Sequence, residues 1–402
     1  MTASAWESTA PARDSRVLVF SQRRIESPVW QALQYEFEDL LATWDDVQIL
    51  SPLAQRAPLS SSLSRRAVNG TKHRLGWERR SPPWVFPSTR PVEVHTEHDL
   101  FFAVFHFAHQ ISHLHRLKGW RERSRRAACL IIELWSPDVQ DNADYLHLLS
   151  QFDQVYVCNP HSAAALRALG LQPQFMAPAV DAVRASPHPL GLPRILDVYN
   201  YGRAAPLPHA ALLRLVEEDG LSYLYETRGD AVVIDHSEHR ALLANMMKRS
   251  KFFLTFRVND SPERQARTGG DEALTTRYFE GMAGGAVLLG SVTRSPEFAA
   301  CFDWPDAVVP VAYDETDMRG VLSDLSAQPD RLARIRTNNV KNSMLRHDWS
   351  DRWSTVLAQN ELAPTAELQG RIALLEARAN ATDLAAEGLA GTRDPLVLKT
   401  PR

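Results

Sequence analysis

Glu272 and Glu280 stand eight positions apart in GGDEALTTRYFEGMAGGAVLLG, residues 269–290, with a glycine pair before and after them. Carboxylates at such a place suit hydroxyl binding, because one carboxylate accepts two hydrogen bonds from a vicinal diol such as a ribose. Thr275 and Thr276 are candidate caps of the helix that follows. The free N–H groups and positive dipole end of that helix would favour an anion, and Gly269 and Gly270 let the backbone come close to it. Each acid also has a plain alternative: a solvated helix acid for Glu280, an ordinary loop acid for Glu272.

A second set lies in the first half. His106, His109, His113 and His115 crowd one strand end and the helix after it. His109 and His113 have a spacing that can bind zinc, but no glutamate of a hydrolytic site stands between them and no cysteine completes a tetrahedron, so no metal is expected. His106 follows FFAVF and Glu133 ends IIE, both at strand carboxyl ends, where open α/β sheets collect ligands. Glu133 can contact ligand hydroxyls or act as a base. Trp135 beside it can stack on a ligand ring or fill the core.

The elements that must position these residues alternate. Strands are predicted at RVLVF (16–20), DVQIL (46–50), DLFFAVFHF (99–107), ACLIIELW (128–135) and QVYVC (154–158), with helices over 28–43 and 161–169 between them. Residues 51–93, rich in Ser, Pro and Arg, form a long excursion with a candidate helix at 61–77. Pro178–Arg194 carries four prolines and reads as a connection. The alternation then restarts with strands at ILDVYNYG, LSYLYE, AVVID, KFFLTF, GAVLLG and AVVPV, and helices that include TTRYFEGMAGG and the run DMRG…SML, 317–345. The expected fold class is therefore α/β, with two Rossmann-like domains over 1–185 and 186–360 and a helical tail over 361–402. The tail would pack back on the body or join a second copy of the chain. The turn after the first strand, SQRRIES, lacks the glycines that a dinucleotide pyrophosphate requires.

Composition narrows the function classes. With 402 residues, 44% apolar and a formal charge of −3, the chain suits two cores and gives no electrostatic case for nucleic-acid binding. The basic run Lys118–Arg126 reads as a solvated turn. Cys129, Cys158 and Cys301 are unpaired in pattern, the first residues carry no apolar core segment, and no apolar run reaches the ~18 residues of a membrane helix, so no signal peptide and a cytoplasmic location are expected.

On these residues the chain resembles the retaining GT-B glycosyltransferases of group 1, family 4-like, near the spore-coat CgeB-like branch. The resemblance runs through IIELW, FDQVYVCNPHSAAALRALG, PAVD, DVYNYGR, the acidic stretch and HDWSDRW, and covers most of residues 95–360. It implies two domains facing across a cleft, the first shaping the acceptor site and the second binding a nucleotide-diphosphate sugar as co-substrate. It also implies transfer to a hydroxyl acceptor without a metal or other cofactor. Glu280 corresponds to the acid that holds the donor ribose, and Glu272 to the acid near the donor sugar. Arg203, in the YGR turn, falls where the family has a phosphate-facing segment, and His106 or His109 where it has a histidine near the sugar. The family's E-G-F-G-x-P is replaced by EALTTRYFE, and its Arg…Lys pair is not recognisable; Arg257, Arg267 and Arg277 are candidate substitutes. A sugar-nucleotide epimerase of the same fold and a non-catalytic GT-B partner protein are the alternatives, and a phosphorylase, the third rival, would need a cofactor-binding lysine that is not recognisable here. Trp349 and Trp353 of HDWSDRW would staple the domains.

Overall fold

The computed structural model describes residues 14–25, 28–55, 88–188, 192–226 and 233–388. The first lobe is built on six parallel strands: β1 (Val17–Phe20), β2 (Val47–Leu50), β3 (His98–Phe105), β4 (Ser124–Ile131), β5 (Gln154–Val157) and β6 (Gln174–Phe175). Their order across the sheet is β6-β5-β4-β3-β1-β2. The residues Leu100 to Phe105 are all fully buried, because helices and loops cover both faces of a parallel sheet. One face packs Phe20, Phe101 and Phe105 with Trp120. The other packs Val19, Phe102 and Leu130 beneath Phe37 of helix α1 (Ala32–Trp44). Two short helices, α2 (Ser136–Asp141) and α3 (Pro160–Arg167), start just beyond the carboxyl ends of β4 and β5.

The connection carries helix α4 (Ala182–Ala185), whose first turn is capped by the Asp181 carboxylate accepting from Arg184 N at 3.0 Å. The second lobe has helices α5 (Pro206–Asp219), α6 (His236–Lys248), α7 (Pro262–Thr268) and α8 (Thr276–Ala283) around strands β7 (Leu196–Asn200), β8 (Tyr223–Tyr225), β9 (Ser250–Thr255), β10 (Val287–Gly290) and β11 (Val309–Pro310). These strands are again all parallel, in the order β8-β7-β9-β10-β11. In each sheet the first strand lies inside the order, so chain direction reverses across the sheet between the first and third strands. That switch point is where a doubly wound sheet opens a crevice for a ligand.

Helices α9 (Met318–Ser326), α10 (Pro329–Arg346), α11 (Trp349–Gln359) and α12 (Ala366–Gly388) finish the chain. The run predicted as one helix over 317–345 is two, since Pro329 has no N–H to donate into a continuing helix and sits instead in the first turn of a new one. Strand β4 begins within the basic run: Ser124 pairs with His98 and Arg126 with Leu100, so the neighbouring strand draws residues 124–126 into the sheet. No strand forms over 233–235 of AVVID, its first two residues lie outside the described set, and the candidate helix at 61–77 lies outside it as well. Beyond residue 348 the chain returns to the first lobe, where Trp349 stacks on Phe37 at 4.3 Å and Trp353 meets Phe102 at 5.3 Å.

Candidate functional site

The sequence NYGR crosses the end of β7, and Gly202 at φ +71° turns the chain so that Arg203 lies at the boundary between the lobes. Among the described residues the Arg203 guanidinium has no hydrogen-bond or ion-pair partner. It is solvent-exposed yet hemmed in by the surrounding protein, which together with Arg277 and Arg264 pushes its pKa down to about 10. Arg277 has a different place. It is buried on the first turn of α8, and its Nη1 and Nη2 donate to Arg203 O at 3.1 Å and Phe256 O at 2.8 Å. Arg277 thus braces the ends of β7 and β9 from beneath, and its burial lowers its pKa to about 10.

Glu272 accepts from Arg257 Nη1 at 2.9 Å and from Arg294 N at 3.3 Å. Arg257 is also bound by Asp260 at 2.7 Å, so two carboxylates already balance its charge. Gly270 lies at φ +87°, and Gly269 at φ +67° ends α7 where Pro137 of the first lobe leaves no room for a Cβ. The next residue fixes this contact: the Asp271 carboxylate accepts from Ser136 N at 2.6 Å and Asn159 Nδ2 at 2.9 Å. Sequence reasoning passed over Asp271 although it stands inside the motif, because its partners lie more than a hundred residues away. At the start of α8 no side chain caps the helix; the Thr275 hydroxyl faces Arg277 Nε at 3.4 Å, and Thr276 opens the first turn.

Opposite these groups, on the first lobe, the ends of β3 and β4 bring His106 and Glu133 together, with Glu133 N donating to His106 O at 2.8 Å. The His106 Nε2–Glu133 Oε2 distance is 3.6 Å, and Trp135 Nε1 donates to Glu133 Oε1 at 3.1 Å. Trp135 is 5% exposed, so its ring belongs to the interior. Burial would raise the Glu133 pKa, but His106, Trp135 and Arg267 outweigh it and hold the carboxyl at about 2. Glu133 in turn acts on Arg203 from across the boundary. The His106 Nδ1 atom is buried without a partner. His109 stacks on Phe107 and His113 Nδ1 meets Gln22 Oε1 at 2.6 Å; no metal-binding cluster occurs among the described residues.

Glu280 lies inside α8, 5% exposed, and is bound by Arg240 Nη1 of α6. Burial, reinforced by Glu36, raises its pKa well above the ordinary carboxylate value. Its Oε2 atom has no partner, nor do Tyr201 Oη and Thr255 Oγ1. Tyr199 and Phe253 pack toward α8, so the two-residue period of a strand turns Tyr201 and Thr255 to that same face. Three unsatisfied polar atoms therefore gather on the side of the second sheet that carries Glu280, at its switch point.

Residues 220–358 match the family model described as Glycosyl transferase-like. No curated protein sequence matches the chain. Among solved structures, an alpha-glucosyltransferase in complex with UDP and a 13-mer DNA containing a central A:G mismatch is 9% identical, with a TM-score of 0.50 over 87% of this chain and 99% of that one. That likeness establishes a shared fold, the α/β architecture of the GT-B glycosyltransferases. An alpha,alpha-trehalose-phosphate synthase (UDP-forming) from Burkholderia vietnamiensis is 12% identical, with a TM-score of 0.44 over 85% of this chain and 84% of that one. A UDP-N-acetylglucosamine 2-epimerase, so described for Listeria monocytogenes, is 11% identical with a TM-score of 0.37 over 96% and 100%. Among the described residues no helix is long and apolar enough to cross a membrane.

Proposed function

We propose that this chain transfers a sugar from a nucleotide-diphosphate donor to a hydroxyl-bearing acceptor, with retention and without a metal ion. The observation that carries the reading is the unpartnered Arg203 guanidinium at the carboxyl end of the second sheet, close enough to Arg264, Arg277 and Glu133 to feel their charges, with Arg267 acting on Glu133 in turn. A guanidinium fork pairs two ways with phosphate oxygens and needs no metal to do so. The departing diphosphate can then take the acceptor proton on the face it leaves, and the protein contributes position and charge.

The state of Glu133 bears on stereochemistry. A carboxyl held at about 2 is ionised at neutral pH and is a poor proton acceptor compared with a base poised near 7. It suits hydrogen bonds from sugar or acceptor hydroxyls, and this supports retention over an inverting reaction that would need it as base. Glu280 is proposed to hold the donor ribose through its unsatisfied oxygen, and Glu272, set by Arg257, to lie near the sugar.

The test is a thermal-shift panel of nucleoside diphosphates followed by a transfer assay. A nucleotide at 100 times its Kd should add about 2.7 kcal/mol of stability. Arg203→Ala should cut that gain to between about 1.4 and 0.4 kcal/mol. No shift with any nucleoside diphosphate would leave a non-catalytic partner protein as the better reading, and exchange of deuterium at sugar C2 without transfer would favour an epimerase. The DNA in the neighbour's complex makes a nucleic-acid acceptor one arm of the assay, against the expectation from net charge.

A further inference from the structure

We infer that Glu36 and Arg240 gate the donor site, so that the lobes must part along the α1–α6 seam before a ribose can reach Glu280. The inference rests on the reading of Glu280 as the ribose acid and concerns how access to it is controlled. Glu36 comes from the first lobe, Arg240 and Glu280 from the second, and their side chains are between 3 and 6% exposed. Arg240 binds Glu280 through Nη1 and turns Nε and Nη2 to the Glu36 carboxylate at 3.3 and 3.2 Å. The cavity that these three side chains line with Asp181, Arg184 and Met247 is about 10 Å³, room for a single water and far too small for a sugar ring. Glu36 thus closes the first-lobe side of the cavity that Glu280 lines.

The charges make this arrangement releasable. Two carboxylates share one guanidinium, with Arg184 3.8 Å from Glu36 as a weaker second cation. Withdrawing Glu36 leaves Arg240 still bonded to Glu280 within the second lobe, and leaves Glu36 beside Arg184. The same two helices are joined once more by His236 Nε2 and Asp39 Oδ2 at 2.7 Å. A donor that binds the parted form has its apparent affinity reduced by the fraction of molecules that are parted. Weakening the seam should therefore tighten donor binding.

Glu36→Gln keeps the shape and removes the charge. UDP binding measured by calorimetry should tighten about tenfold, and small-angle scattering of the unliganded variant should give a larger radius of gyration than wild type. Unchanged or weaker UDP binding together with an unchanged radius overturns the gate. Glu280→Gln, measured in both backgrounds, separates the two ideas: weaker UDP binding there upholds the ribose contact whatever Glu36 does, and unaltered binding sinks that contact and the gate with it. Hydrogen exchange on the wild-type protein reads the seam without any substitution. Saturating UDP should speed exchange over residues 32–44 and 236–248, and slower exchange there counts against the gate. UDP that binds neither protein overturns the gate together with the reading beneath it.

Discussion

Arg203 and Arg277 are the same amino acid at opposite ends of the stability–function scale. The Arg203 guanidinium has no partner among the described residues, whereas Arg277 spends its fork on two main-chain carbonyls, one of them that of Arg203. Arg277→Ala should leave the buried Phe256 carbonyl unsatisfied at ~1–3 kcal/mol and free the Arg203 carbonyl to water, a loss seen as a lower urea midpoint with little selective effect on nucleotide. Arg203→Ala should do the reverse, leaving the midpoint within about 0.5 kcal/mol and weakening UDP by roughly ten- to a hundredfold, the worth of ~1.5–3 kcal/mol for hydrogen bonds to charge. Equal effects of the two variants on both measurements would refute the division. The sequence shows arginines of the right type near a glycine-rich turn and offers Arg203, Arg257, Arg267 and Arg277 as candidates, while Arg264 goes unnoticed. Telling ligand from brace needs the strand order, which sets Arg203 O and Phe256 O side by side although 53 residues separate them.

At the scale of elements, the loop 269–275 is held between the lobes by one glycine and one carboxylate. A Cβ on Gly269 would stand 2.7 Å from Pro137 Cγ, and the residue already occupies φ +67°. Gly269→Ala should cost ~1–3 kcal/mol from backbone strain and push the loop off α2, weakening the Asp271 bonds to Ser136 and Asn159. The measurable outcome is a lower midpoint joined to weaker UDP binding, because the same loop carries Glu272; a variant that keeps both would show that the contact is incidental. The alternation of strands and helices was readable because parallel strands buried on both faces are near-continuous apolar runs, as Phe101–Phe105 is. Ends were less readable. Strand β4 starts where its partner β3 starts, and no local property of Ser124–Arg126 announces it. The burial of Glu36 and Arg240 was hidden for the same reason, since each looks like a surface residue on an amphipathic helix until the lobes meet.

Over the whole molecule, the chain's return to the first lobe turns on one buried histidine. His347 ends α10 and immediately precedes Asp348, whose carboxylate caps α11 by accepting from Ser350 N at 3.0 Å. His347 is 2% exposed and packed by Phe279, Phe302 and Trp304. Its Nε2 donates to Cys301 O at 2.9 Å, which leaves Nδ1 to face Arg352 Nη2 at 3.4 Å as an acceptor. A proton on Nδ1 would set two cations against each other. Burial first, and Arg352 next, accordingly lower the His347 pKa to about 3, against about 6.5 for an unfolded histidine. Below pH ~6.5 the unfolded chain binds a proton that the native chain refuses, so this residue's share of stability falls as pH drops toward 3. The slope is about 1.4 kcal/mol per pH unit, or about 2 kcal/mol between pH 6.5 and pH 5. His347→Gln retains a donor for Cys301 O and cannot titrate. Urea unfolding of wild type and variant at pH 7 and pH 5 isolates the effect, because every other carboxylate and histidine contributes equally to both proteins. The difference in stability between the two should shift by about 2 kcal/mol in favour of the variant on acidification. Parallel pH profiles would mean that His347 is charged in the native protein, and that the joint between the lobes tolerates two adjacent buried cations.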